Sequence, residues 1–183
     1  MKTCLLVIDA QESFRQRPYF TDVDLPDYIA AQNALMRACE AHSIAIVRIF
    51  HVDGLPTVSN PFAIESGHVR PLDELYDAPM AATFYKSRHS ALVGTGLGVW
   101  LRQNSVEKII ISGIRTEQCC ETTARHASDE GYSIDYVLDA TLTWDMLQPD
   151  GHTLRAAEIK MRTATVLQGR FAKVCNAAEL VYV

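Results

Sequence analysis

Apolar runs and helical patterns alternate along the whole chain. TCLLVIDA (3–10) is apolar almost throughout and suits a buried strand. DYIAAQNALMRACEAH (27–42) brings Ile29, Met36 and Cys39 near one face of a helix, with Pro26 placed for its first turn. SIAIVRIFH (43–51) is rich in β-branched residues and predicts a second strand, and AATFYKS (81–87) a weaker third. GTGLGVWLRQN (94–104) predicts a short helix, and VEKIIISGI (106–114) is the clearest strand of the chain. TEQCCETTARHASDEG (116–131) predicts a helix with Thr116 as its N-cap and Gly131 as its C-cap. YSIDYVLDA (132–140) follows as a fifth strand, GHTLRAAEIKMRT (151–163) as a last helix and FAKVCNA (171–177) as a sixth strand.

Strands that alternate with helices, each apolar throughout, imply a parallel sheet covered on both faces. The expected fold is α/β: a doubly wound three-layer α/β/α sandwich on a six-stranded, mainly parallel sheet. The 183 residues suit one domain spanning 1–183 and are too few for a TIM barrel. Residues 52–80 hold four of the seven prolines and little periodicity, so they are expected to run irregularly over the surface as a lid or an oligomer contact. In doubly wound sheets the site lies beyond the carboxyl ends of the strands. That places Asp9, His51 with Asp53, Lys86, the turn Arg115–Cys119 and the stretch Asp139 to Asp145 as candidates.

Composition narrows the partners. The net charge is -5 and no block of like charge occurs, which argues against nucleic acid and against an anionic membrane. The apolar run at the N-terminus is too short for a signal peptide core or a membrane span, and a cytoplasmic protein is expected. Five cysteines, an odd number with no C-x-x-C, read as free thiols in a reducing compartment. Cys4, Cys39 and Cys175 are expected as small buried apolar residues.

The other two cysteines are adjacent. Cys120, Thr123, Ala124 and Ala127 form a small, apolar stripe at helical spacing, so Cys120 belongs against the sheet. Cys119 lies one position round, in the first turn. Unpaired backbone N–H groups and the positive end of the helix favour a thiolate there, and could also receive an oxyanion. Spacing alone leaves Cys119 either a packing residue or a nucleophile. Three tempting patterns carry less. Gly94-Thr95-Gly96-Leu97-Gly98 lacks the strand before it and the Lys-Ser/Thr ending of a phosphate loop. Ser13 with His89 or His126 has no nucleophile elbow, and His126 is expected on the exposed part of its helix. His51-Val52-Asp53, with His68, hints at a metal site, but no metal is expected.

Gly113, Thr116 and Cys119 follow an apolar strand as G-x-x-T-x-x-C; Thr123, Arg125, Ala127, Gly131 and Tyr132 continue it, and a strand then ends in Asp139-Ala140. LLVIDAQESF ends its strand with Asp9, Gln11 and Phe14, and YKSRHSALVGTGL carries Lys86, Ser90 and Ala91 as Lys-x-x-x-Ser-Ala. Together, and in this order, these motifs resemble the isochorismatase-like cysteine hydrolase superfamily. Nicotinamidases of that superfamily bind a divalent metal through Asp-x-His with a Trp before the His; here the order is reversed and the Trp is absent.

The resemblance implies a catalytic triad of Asp9, Lys86 and Cys119. It also implies a non-proline cis peptide at Ile114–Arg115, which would aim the amides of Arg115 and Cys119 at an oxyanion. Cys119 would attack a carbonyl carbon, Asp9 would shuttle the proton, and Lys86 would hold Asp9 and favour the thiolate. The implied function is hydrolysis of an amide, carbamoyl or ureido C–N bond in a small molecule, with no cofactor. Phe14, His51, Arg115 and Trp144 are the expected substrate walls from their places after strand ends. A homo-oligomer is expected, as is common in the superfamily. Two rivals stand beside this reading: vinyl ether hydrolysis with Asp9 as the acid, and a non-catalytic binding protein on the same fold.

Overall fold

The computed structural model describes residues 1–180. Six strands form one sheet: β1 (Thr3–Ile8), β2 (Ala45–His51), β3 (Ala82–Lys86), β4 (Lys108–Ile114), β5 (Ser133–Leu142) and, after a separate small pair, β8 (Lys173–Cys175). Their order is β3-β2-β1-β4-β5-β8, and every neighbouring pair is parallel. The sheet is therefore wholly parallel. The small pair is β6 (Met146–Leu147) with β7 (Thr153–Leu154), antiparallel and outside the main sheet.

The apolar runs explain the layers. In β1, Leu5 and Val7 face one core, whose helix is α1 (Leu25–Ala41). Cys4, Leu6 and Ile8 face the other, where α2 (Leu97–Gln103) and α3 (Glu121–Asp129) pack. A fourth helix, α4 (Ala156–Leu167), lies against α3 on that second side. Leu5, Leu6 and Ile8 are fully buried. Each such side chain contributes roughly 1.5–3 kcal/mol relative to exposure, which is why β1 carries almost no polar residue until it reaches Asp9.

The chain departs from the sequence expectations at element ends. The helix over 27–42 begins at Leu25, with Pro26 in its first turn. The helix expected over 151–163 is α4 at 156–167, because residues 146–154 form the small hairpin instead. The start of α3 differs more. Thr116 does not cap it: its hydroxyl donates to Thr141 Oγ1 at 2.8 Å, and residues Thr116–Cys120 form a single π-helical turn ahead of α3. At the other end Gly131 sits at φ 93, and the N–H groups of Gly131 and Tyr132 reach back to the carbonyls of Ser128 and Ala127, closing the helix as expected of a C-terminal glycine.

Candidate active site

The strand order reverses between β1 and β4, and the crevice this leaves at their carboxyl ends is where the polar residues gather. Gly113 makes the close approach possible. It sits at φ 125, and a Cβ there would lie 1.9 Å from the Ile8 carbonyl oxygen. Immediately beyond, Asp9 leaves β1 at φ 51, a left-handed conformation that costs a non-glycine residue roughly 1–3 kcal/mol. Its amide donates to the Ile49 carbonyl at 2.9 Å, which fixes the turn.

Three strand ends supply the core of the site. Lys86, last residue of β3, extends across the end of β2 and places its ammonium 2.6 Å from Asp9 Oδ2 and 3.2 Å from Cys119 Sγ. The same nitrogen lies 3.0 Å from His51 Nδ1. Asp9 and Lys86 are fully buried at the side chain. Asp9 Oδ1 has no hydrogen-bond partner among the described residues, so the carboxylate keeps one acceptor free. The Ile114–Arg115 peptide is cis.

The electrostatics differ from the sequence expectation at the thiol. Burial and then the negative charge of Asp9 push the Cys119 pKa up to about 12, and the Lys86 ammonium opposes this without overcoming it. The resting group is a thiol beside a carboxylate. A helix terminus favours thiolate only as far as the thiol is solvated, and Cys119 is buried. Burial also works against the Lys86 charge, but the charge of Asp9 and the hydrogen bonds to Asp9 and Cys119 raise its pKa, so it stays an ammonium. For His51, burial first and then the Lys86 charge hold the imidazole below its ordinary value, against Asp9 and Asp53.

Asp9, His51 and Cys119 each present one ligand atom, all within 4.8 Å of one another, a spacing that suits a metal ion. The Lys86 ammonium hydrogen-bonds to all three residues. The cluster already holds a cation, and it belongs to the chain. His51 Nε2 lies 3.9 Å from Asp53 Oδ2, whereas His68 is not among the residues around the cavity.

This cluster forms the floor of a cavity of about 240 Å³. Phe14 and His51 line it, with Asp9 and Cys119 at the base. Arg115 and Trp144 do not. The Arg115 guanidinium lies beside the packed rings of Tyr19 and Trp144, 5.0 and 5.6 Å from their centroids, and pairs with Glu117 at 3.1 Å. The Trp144 ring packs behind Phe14 and Tyr19 and donates its N–H to the Thr21 carbonyl. Asp139 receives the amide of Ala177, and Asp145 pairs with Arg155; neither reaches the cavity. His126 is half-buried rather than exposed, with Nδ1 2.8 Å from Ser90 Oγ.

Several wall residues escaped the sequence reading. Besides Asp53, already a candidate with His51, the irregular stretch 52–80 contributes Gly54, Asn60 and Phe62 to the cavity. Asn60 shapes that stretch by donating to the carbonyls of Asp53 and Leu55. Arg17, Tyr19, His89 and Gln118 complete the wall. Gln11 carried a motif but no assigned role. Its side-chain amide takes the N–H of His51 at 2.8 Å and donates to the His51 carbonyl at 3.0 Å, clamping the end of β2. The Asp9-x-Gln11 spacing just past β1 is the trace of this clamp in the sequence; no local pattern announces Asn60 or Phe62.

Fold and site together define an α/β enzyme with a cysteine, a carboxylate and an ammonium at the carboxyl edge of a parallel sheet. The chain is a hydrolase of the isochorismatase family: the family's Isochorismatase domain model matches residues 3–175. The nicotinamidase/pyrazinamidase of Mycobacterium tuberculosis is 26% identical over 156 residues, covering 75% of this chain and 81% of its own. The ureidoacrylate amidohydrolase of Pantoea ananatis is 24% identical over 167 residues, covering 74% and 65%. Among solved structures, an isochorismatase from Pseudomonas putida superposes with a TM-score of 0.87 at 26% identity, covering 98% of this chain and 90% of that one.

Proposed function

We propose that this hydrolase cleaves a C–N bond of a small molecule, in an amide, carbamoyl or ureido group, through a thioester on Cys119. One observation carries the reading. A single buried ammonium touches both the carboxylate of Asp9 and the sulfur of Cys119, at the floor of a cavity that admits a small molecule.

Because the thiol pKa lies near 12, deprotonation accompanies attack. The Cys119 sulfur forms a bond to the carbonyl carbon as its proton passes to Asp9, whose Oδ1 is free to accept it. The amides of Arg115 and Cys119 are the proposed donors to the oxyanion. Asp9 then gives the proton to the departing nitrogen, the C–N bond breaks and the thioester remains. Water attacks the thioester and loses a proton to Asp9. Collapse releases the acid and returns that proton to sulfur. Lys86 holds Asp9 in place through its hydrogen bond to Oδ2 throughout. This chemistry requires no cofactor.

The walls support a substrate with a flat apolar part and an acidic group. Phe14, Tyr19 and Phe62 supply rings, and the Arg17 guanidinium lies 5.8 Å from the Tyr19 ring and 6.0 Å from that of Phe62. Names among the relatives, a nicotinamidase and a ureidoacrylate amidohydrolase, support C–N chemistry. The raised thiol pKa favours one rival, vinyl ether hydrolysis with Asp9 as the acid, since that reaction needs no thiolate.

The test is a panel of amides, N-carbamoyl acids and enol ethers, read by ammonia or amine release and by intact-protein mass after rapid acid quench. Turnover of a C–N substrate with an acyl adduct on the Cys119 peptide is the expected result. Turnover of an enol ether that persists in Cys119→Ala would instead establish the acid-catalysed reading.

A further inference from the structure

The Lys86 ammonium has three protons and three acceptors around it. Asp9 Oδ2 stands at 2.6 Å, Cys119 Sγ at 3.2 Å and His51 Nδ1 at 3.0 Å. A triad of Asp9, Lys86 and Cys119 accounts for only two of them. The third follows from topology. β2 lies between β1 and β3, and His51 is the register partner of Lys86 at their carboxyl ends. To reach Asp9, the Lys86 side chain must cross the imidazole. The backbone of His51 is itself held on both sides by the Gln11 amide.

An ammonium has no lone pair, so Nδ1 must be the acceptor of this contact, and a neutral imidazole then carries its proton on Nε2. We propose that His51 is a positioning residue, fixed as the Nε2–H tautomer, which holds the Lys86 ammonium over Asp9 and Cys119. The inference rests on the cysteine hydrolase reading above. It adds a fourth member to the charged cluster and assigns Nδ1 to Lys86 rather than to substrate. Protonation at Nδ1 would turn the contact into a repulsion. The titratable groups facing His51 are the Lys86 ammonium, the His89 imidazole and the carboxyl groups of Asp9 and Asp53, and burial disfavours the charged ring. The neutral ring is thus the form that the surroundings select.

Two isosteric variants of the full chain separate this role from substrate binding. In His51→Asn the Oδ1 atom takes the place of Nδ1 and can accept from Lys86. In His51→Gln the amide reaches the place of Nε2 and leaves the third ammonium proton without an acceptor. With a substrate from the panel, His51→Gln is expected to lower kcat about thirty-fold with little change in KM, the scale of one hydrogen bond to a charged group. His51→Asn is expected to recover most of that loss. A readout that needs no substrate is the ¹⁵N spectrum of imidazole-labelled protein: Nδ1 unprotonated in the wild type, and a His51 pKa that rises in Lys86→Met. Equal losses of kcat in the two variants, a loss confined to KM, or a proton found on Nδ1 would each overturn the proposal. The tautomer is measured without turnover, so its failure counts against His51 alone. A missing acyl adduct on Cys119 counts against the hydrolase mechanism and leaves the tautomer standing.

Discussion

Two buried acids in this chain are treated in opposite ways. Glu121, first residue of α3, has both oxygens occupied: Oε1 accepts from Arg125 at 3.0 Å, and Oε2 from Arg162 at 2.5 Å and Thr163 at 3.0 Å. Its backbone is ordinary helix, at φ -62. Asp9 has one oxygen on Lys86 and the other without a partner among the described residues, on a backbone at φ 51 beside a cavity. A buried acid with a structural role is saturated, because each missing partner costs stability. An acid left short of a partner, held in an unfavourable conformation and open to a cavity fits the proton-transfer role proposed for Asp9. Burial alone does not separate the two; the free oxygen and its access to the cavity do.

The sharpest way to break this contrast is to neutralise each acid. Asp9→Asn is expected to lower turnover by about 10³-fold or more, with far-UV circular dichroism unchanged, because it removes the proposed proton acceptor and the charged partner of Lys86. An active Asp9→Asn would show that the free oxygen is incidental. Glu121→Ala is expected to do the reverse. It should cost roughly 2–3 kcal/mol in urea unfolding, less than a fully buried pair because Arg125 and Arg162 are partly exposed, while kcat stays within a few-fold. A large fall in kcat without loss of stability would move Glu121 into the site.

Smaller effects sharpen the picture. Arg17→Met should raise KM for an acidic substrate about tenfold and leave a neutral one unchanged, the scale of one exposed charged contact. Equal effects on both would remove Arg17 from substrate recognition. Cys120→Ala should change kcat by less than about threefold, since its sulfur sits wholly within the core beside Ala124 and Ala127.

The thiols also make a prediction about pH. Burial pushes Cys4, Cys39 and Cys119 up to about 12 and Cys175 to about 11. Unfolded thiols titrate near pH 8.5. Between these values the folded chain keeps protons that the unfolded chain releases, so stability is full below about pH 8.5 and falls as pH rises towards the folded pKa values. Urea midpoints measured from pH 8 to 10.5 should decline, and Cys119→Ala should remove only part of the decline. A flat profile would mean the thiols are solvated.

Much of the fold was legible because the central strands β1 and β4 are nearly continuous apolar runs and the helices carry small or apolar stripes. The same local patterns placed Asp9, His51, Lys86 and Cys119 at the carboxyl ends of strands, where the structure gathers them. Local rules failed where a distant partner competed. Thr116 is a good cap in isolation, but Thr141, reached only across the sheet, takes its hydroxyl. Arg115 and Trp144 follow strand ends yet stack against Tyr19 rather than open space. Asn60 and Phe62 reach the cavity through a stretch with no periodicity to read.

Sequence by itself determined the layered α/β architecture, the strand ends and the types of group that stand there, because hydrophobic periodicity and motif spacing are local properties of the chain. The tertiary structure alone decided the ionisation of those groups and their partners. The pKa of Cys119 depends on how much water burial removes and on the distances to Asp9 and Lys86, and the third contact of Lys86 depends on β2 lying between β1 and β3. Both are set by strand order and packing, which bring together residues 77 and 33 positions apart along the chain.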